Sequence, residues 1–318
     1  MAVKRVLVRE EEWASVQARF RSEVGLMARL RHENVVRFLG ASARPDELCI
    51  VTEYVRKGSL ARLLHASHAG MTLGDVLDVA SGVAAALQYL HSRRVVHRDL
   101  TSANVLIDVD PETLRWVAKV ADFGLSRTRD QTAARRSAGV ATAHAASPEL
   151  LAGRYDTPTD VWSFGVLLYE LATRRVPFAG RHQFELVLAI HGGLTLEGDL
   201  PPDDYCHDVP GESGPGHFVT AGLRALMLDC WAPSPEKRPT AAELVERLGR
   251  ESMTVGMGAG MGTGTGAGAG RGPAAAPAEP PQAPPTSRPI EVLDPRLGAT
   301  SGACADVRTS SLRARIDS

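Results

Sequence analysis

The chain has 318 residues, with 36 Lys and Arg against 37 Asp and Glu, a formal net charge of −1. That balance gives no general reason to expect a nucleic acid or an acidic membrane surface as partner. With 44% hydrophobic residues the chain can bury a core large enough for one two-lobed domain plus a tail. Its four cysteines (Cys49, Cys206, Cys230, Cys304) lie far apart, with no CxxC and no His pairing at metal spacing. They read as reduced thiols, not a disulfide framework or a zinc site. No long apolar core follows the basic pair Lys4-Arg5, which argues against a signal peptide. The strongest apolar run, residues 161–172, contains Ser163 and Glu170 and is too short to span a bilayer. These features predict a soluble, cytoplasmic protein with no membrane segment.

In chain order, residues 3–8 alternate weakly and read as a strand. Phe20, Val24, Met27 and Leu30 then recur at helical spacing. Residues 35–39 and 48–52 are β-rich runs separated by the turn Arg44-Pro45-Asp46. The chain divides at Glu53-Tyr54-Val55, and beyond it helical patterns dominate. Gly58-Ser59-Leu60 gives a helix start with Ser59 as N-cap. Val76, Val79, Ala80, Val83, Leu87 and Leu90 form one long stripe, and residues 161–171 are apolar nearly all round, which predicts a buried helix. After Arg250 the composition changes sharply. Gly fills every second position from 256 to 272, and a Pro-rich run follows. Such a stretch cannot bury enough apolar surface to offset its ordering entropy. Residues 251–318 are therefore expected to be a disordered Gly/Ala- and Pro-rich tail, with no partner identifiable from its sequence. Truncation after Arg250 is expected to leave the thermal midpoint nearly unchanged. The pattern predicts an α+β fold, with a small sheet first and a helical assembly second.

The chemistry is carried by short motifs in a fixed order. His97-Arg98-Asp99-Leu100 is followed by Asn104, five residues after the Asp, then by Asp122-Phe123-Gly124 and by Pro148-Glu149. A lone Asp-Phe-Gly is as readily a turn, but the ordered set is hard to obtain by chance. Two carboxylates and an Asn, each in its own motif, are what a magnesium-nucleotide site needs. One carboxylate acts on the substrate hydroxyl while the Asn and the other carboxylate hold the metal on the phosphates.

The set resembles a eukaryotic protein kinase, and the resemblance runs from about residue 2 to about 249. It implies a bilobal kinase fold over residues 1–250, with an incomplete β-rich N-lobe (1–52), a hinge (53–58) and a mainly helical C-lobe (59–250). It also implies ATP and Mg2+ as cofactors and a protein as substrate. By the same resemblance Asp99 is the base or hydroxyl-orienting group, and Asn104 and Asp122 are the metal ligands. Ala2-Val3-Lys4 resembles the strand whose Lys contacts the phosphates, and Glu23, 19 residues on, its ion-pair partner. Thr52 stands at the gatekeeper position, Glu53 and Val55 offer hinge backbone to adenine, and Leu106 lies under the base. Met27, Phe38, His97 and Phe123 would stack into the hydrophobic column of an assembled site. Thr128, Thr132, Ser137 and Thr142 fall in the activation segment, and Arg98 before the catalytic Asp goes in the family with control by phosphorylation there. Glu149 is expected to pair with Arg238, and Asp160 to hold the catalytic-loop backbone.

The resemblance has departures. The two strands and Gly-rich loop that precede the Lys in the family have no counterpart before Lys4. Thr101 stands where Ser/Thr kinases commonly have a Lys. Ala141 replaces a Gly, Ala145 a bulkier residue and Ser147 an Ala. The Thr101 form, the 30–40 region and Cys230-Trp231 resemble the tyrosine-kinase-like branch. The expected function is phosphorylation of protein Ser and Thr hydroxyls, with a pseudokinase, scaffold or inactive fragment as the alternative and weak or no kinase activity expected of this 318-residue chain.

Overall fold

The computed structural model describes residues 1–6, 13–44, 47–66, 70–123, 127–128, 143–201, 205–206 and 218–259. Within them the chain forms two compact units. Met1–Ala28 and Phe38–Glu53 belong to one, and Arg29–Arg37 with Tyr54–Gly256 to the other.

The first unit is built on an antiparallel sheet of strands β1 (Ala2–Val6), β2 (Phe38–Arg44) and β3 (Glu47–Thr52), in the order β1-β3-β2. β3 is central, and Leu48, Cys49, Ile50 and Val51 are all buried. A continuous apolar run is what a strand covered on both faces requires. The register sets Lys4 opposite Ile50 and Ala2 opposite Thr52, and a bulge interrupts β2 between Phe38 and Gly40. Helix α1 (Trp13–Met27) buries Phe20 and Met27, seven residues apart and so on one face.

The β-run expected at 35–39 forms differently. β2 starts only at Phe38, while Val35 makes an isolated parallel bridge to Val120. Val36 donates to Val120 O at 2.9 Å, Val120 donates to Asn34 O at 2.8 Å, and Asn34 Nδ2 donates to Ala118 O at 2.9 Å. The β-branched pair Val35-Val36 therefore spends its backbone groups on the second unit, not on the sheet of the first.

The second unit opens with α2 (Leu60–His65), capped by Ser59, whose hydroxyl accepts from Arg62 N. Helix α3 (Leu73–Ser92) starts in a reciprocal capping box between Thr72 and Asp75. It is 20 residues long and apolar enough to cross a membrane by length and composition. Its stripe from Val76 to Leu90 is instead buried, and it packs on strand β6 (Trp116–Val120) and helix α5 (Thr157–Thr173). It is a core helix. Short strands β4 (Val95–Val96) and β7 (Arg127–Thr128) pair with each other, as do β5 (Val105–Val109) and β6.

Helix α5 is buried from Thr159 to Thr173, as its all-round apolar character predicts. Helices α4 (Pro148–Leu151), α6 (Gln183–His191), α7 (Ala221–Cys230) and α8 (Ala241–Ala259) complete the unit with the ladder of β8 (Tyr205–Cys206) and β9 (Phe218–Val219). Cys49 and Cys230 are buried free thiols, and burial pushes the Cys230 thiol well above its ordinary value. One boundary moves. α8 continues through Ala259, so residues 251–259 are helical where composition placed the start of the tail, and Glu251 accepts a hydrogen bond from Thr220. Residues 260–318 lie outside the described residues.

Candidate active site

The motif His97-Arg98-Asp99 lies just after β4, and the next turn of chain is a 3-10 turn, Ser102–Asn104, that leads into β5. That turn closes when Asn104 N donates to Thr101 O at 3.0 Å. It brings the Asn104 amide back onto Asp99. Nδ2 donates to the Asp99 carbonyl at 2.8 Å and to its carboxylate Oδ2 at 3.0 Å. The second carboxylate is tied in through the backbone, because Ala121 N donates to Asn104 O at 2.8 Å. Asp122 follows at once, exposed and with φ at +60°. Arg98 also sits in the left-handed region, at φ +72°. Two non-glycine residues held in that sparsely populated conformation, one next to the Asp99 carboxylate and the other carrying the second carboxylate itself, are the kind of strain found at functional sites.

Asp160 supplies the restraint. It has no exposed surface, and its two oxygens accept from His97 N at 2.9 Å and Arg98 N at 2.8 Å. His91 Nε2 approaches the same carboxylate at 2.8 Å. Burial alone would raise the Asp160 pKa. The His91 hydrogen bond and charge, with the backbone donor of Arg98, outweigh that and hold it below its ordinary value. The carboxylate thus stays ionised and fixes the backbone before Asp99. His97 is wholly buried, with Nε2 3.0 Å from Ala121 O and its ring edge-on to Phe123 at 5.2 Å between centroids. Arg98 is laid over the Tyr155 ring, 3.6 Å from its centroid, a close cation–π contact.

Glu149 and Arg238 form the expected pair, bidentate at 2.6 and 3.0 Å, with the Arg238 side chain fully buried. Arg238 also donates to Ala232 O and Pro158 O at 3.0 Å each. Burial pushes Glu149 up, but the hydrogen bonds and charge of Arg238 win and hold it below 4.5.

In the first unit Lys4 Nζ lies 3.7 Å from Glu23 Oε1, with the lysine side chain half exposed. Ala2 and Thr52 face each other on β1 and β3, and Thr52 Oγ1 donates to Glu53 O at 3.2 Å. Met27 and Phe38 are buried in this unit, and His97 and Phe123 touch in the other. In the second unit Val55 is buried. The segment after it is tied to β5 by Lys57 N to Ile107 O at 3.1 Å and Ile107 N to Gly58 O at 2.9 Å, with Leu106 bridged to Ser59. Thr128 lies in β7, while Gly124, Thr132, Ser137 and Thr142 fall outside the described residues.

The donor set suits magnesium. Among the described residues no cluster of three or more His, Cys, Asp or Glu could hold a metal. Magnesium needs no such cage, since it takes one or two protein oxygens with phosphates and water. Asn104 commits its nitrogen to Asp99, which leaves Oδ1 as a hard donor, and Asp122 contributes an exposed carboxylate. Sequence reasoning missed Tyr155, His91 and the Ser102–Glu170 contact. Ser102 stands inside the Asp99–Asn104 motif, but Tyr155, His91 and Glu170 have no spacing to betray them, since their partners are 57 to 69 residues away in sequence.

Comparison with known proteins identifies the family. A family model described as protein tyrosine and serine/threonine kinase matches residues 1–248. The chain is 37% identical over 232 residues to the probable serine/threonine-protein kinase drkA of Dictyostelium discoideum, covering 72% of the chain and 33% of that protein. It is 36% identical over 253 residues to the serine/threonine-protein kinase CTR1 of Arabidopsis thaliana, covering 78% and 28%. It is 33% identical to the serine/threonine/tyrosine-protein kinase HT1 of the same plant, covering 81% and 62%. The match thus spans a third or less of drkA and CTR1. Because that family model covers residues 1–248, well over half of the chain, the chain belongs to the protein tyrosine and serine/threonine kinases.

Proposed function

We propose that the chain transfers the γ-phosphoryl group of ATP to Ser or Thr hydroxyls of a protein substrate, as a member of the tyrosine-kinase-like group. The observation that carries this reading is the 3.0 Å contact between Asn104 Nδ2 and Asp99 Oδ2. It sets a carboxylate that can orient or accept a hydroxyl proton next to a residue able to hold a metal. Asp99 acts on the acceptor hydroxyl. Asn104 and Asp122 would hold magnesium, which would supply charge neutralisation to the phosphates of a bound nucleotide. By the family resemblance Lys4, paired with Glu23, is the residue for the phosphates, Glu53 and Val55 offer backbone groups for adenine, and Thr52 holds the gatekeeper position. Phosphoryl transfer asks little covalent chemistry of the protein, so positioning and charge supply most of the rate. The names of drkA and CTR1 support Ser/Thr acceptors, and the name of HT1 makes Tyr the outcome to test against. The scattered cysteines, read as reduced thiols, support action in the cytoplasm.

The test is incubation of the purified chain with magnesium, labelled ATP and a mixed protein substrate, followed by acid hydrolysis and separation of the phosphoamino acids. Label in phosphoserine and phosphothreonine above an Asp99→Asn blank is expected. Label confined to phosphotyrosine, or none above the blank, would overturn the reading.

A further inference from the structure

Glu170 is an ionisable group on the buried helix α5, 8% exposed, and the phosphoryl-transfer reading gives it no task. Its Oε1 accepts from Ser102 Oγ at 2.7 Å and lies 2.7 Å from His65 Nε2. Ser, Glu and His together invite comparison with a nucleophilic triad, but the order is wrong. There the imidazole sits on the serine and takes its proton. Here the buried Ser102, 6% exposed, gives its hydrogen to the carboxylate, and the imidazole, at the end of α2, meets that same carboxylate oxygen and not the serine. The cluster cannot activate Ser102. It can hold it.

What it holds is the catalytic turn. Ser102 begins the 3-10 turn that ends at Asn104, and the Asn104 amide reaches back to Asp99 at 2.8 and 3.0 Å. A buried carboxyl group with two polar partners at 2.7 Å is a stiff anchor, because releasing either leaves a buried polar group short of a hydrogen bond. The same stretch of α5 also fixes α2. Arg174 N donates to Glu170 O at 2.8 Å, and its Nη2 meets the carbonyls of Leu63 and Leu64 at 3.4 Å each, the last carbonyls of α2.

We infer that Glu170 is a positioning residue that pins the Ser102–Asn104 turn and the end of α2 to α5, and so sets the Asn104–Asp99 geometry. The catalytic consequence rests on the phosphoryl-transfer reading; the pinning does not. Ser102→Ala and Glu170→Met, each made in the full chain, are expected to speed hydrogen exchange of backbone amides in residues 100–106. Phosphoryl transfer should fall roughly ten- to a hundredfold, as a misplacement of about an ångström does. Nucleotide affinity should stay near wild type in Ser102→Ala while the thermal midpoint falls only modestly, and Ser102→Thr, which keeps the hydroxyl, should recover most of the rate. Unchanged exchange in Ser102→Ala would overturn the inference. So would a loss of transfer that only tracks lost nucleotide affinity and midpoint, or no recovery in Ser102→Thr. If the wild type itself shows no transfer above Asp99→Asn, the phosphoryl-transfer reading fails alone, and the exchange comparison still decides whether Glu170 pins the turn.

Discussion

Arg238 has a fully buried side chain, and four hydrogen bonds fix its guanidinium: two to Glu149 and one each to Ala232 O and Pro158 O. Removing one partner of such a pair leaves the other charge buried and alone, which costs about 3–5 kcal/mol. Arg238→Met is therefore expected to lower unfolding free energy by about that amount in a denaturant titration. The same pair predicts an acid dependence. Glu149 has a folded pKa depressed below 4.5, so its contribution is complete above that value and is lost as pH falls through 4.5 and on through the folded value. Asp160 is depressed too and acts with the same sign. The wild type should lose stability on acidification below pH 4.5, and Glu149→Gln should flatten part of that slope, read as denaturant midpoint against pH.

Among the elements, sequence pattern foretold those whose packing follows from their own periodicity. The α3 stripe, the all-round burial of α5 and the Ser59 cap are local facts, visible in spacing or in one side chain. Elements decided by a distant partner were not visible. Val35-Val36 reads as strand but bonds to Val120, 84 or more residues away, because a β-branched residue cannot announce which edge it will meet. The candidate site divides in the same way. Asp99, Asn104, Asp122, Glu149 and Arg238 stand in motifs, whereas His91, Tyr155 and Glu170 act through contacts made only by the tertiary fold. Close approach of α5 and α7 gives an element-scale prediction. A Cβ on Gly165 would lie 2.6 Å from Cys230 Cβ and 2.7 Å from Trp231 Nε1. Gly165→Ala should thus force the two helices apart and cost about 1–3 kcal/mol, measured by thermal or denaturant unfolding. An unchanged midpoint would mean that this contact relaxes freely.

For the whole molecule, the end of the folded chain moves from residue 250 to at least 259. Glu251 accepts from Thr220 and lies against Gly222, and Ser252 Oγ donates to Leu248 O at 3.0 Å. Truncation after Arg250 is therefore expected to lower the thermal midpoint relative to truncation after Ala259, in place of the neutral cut that composition alone predicts. The central claim is that Asp99 serves the acceptor while Asp122 serves the metal and nucleotide, and a paired titration tests it most directly. Magnesium-dependent nucleotide affinity and phosphoryl transfer are measured side by side in wild type, Asp99→Asn and Asp122→Asn. Transfer should vanish in both variants, while nucleotide affinity stays near wild type in Asp99→Asn and weakens in Asp122→Asn. Equal loss of nucleotide affinity in the two variants, or transfer that survives Asp99→Asn, would contradict the account.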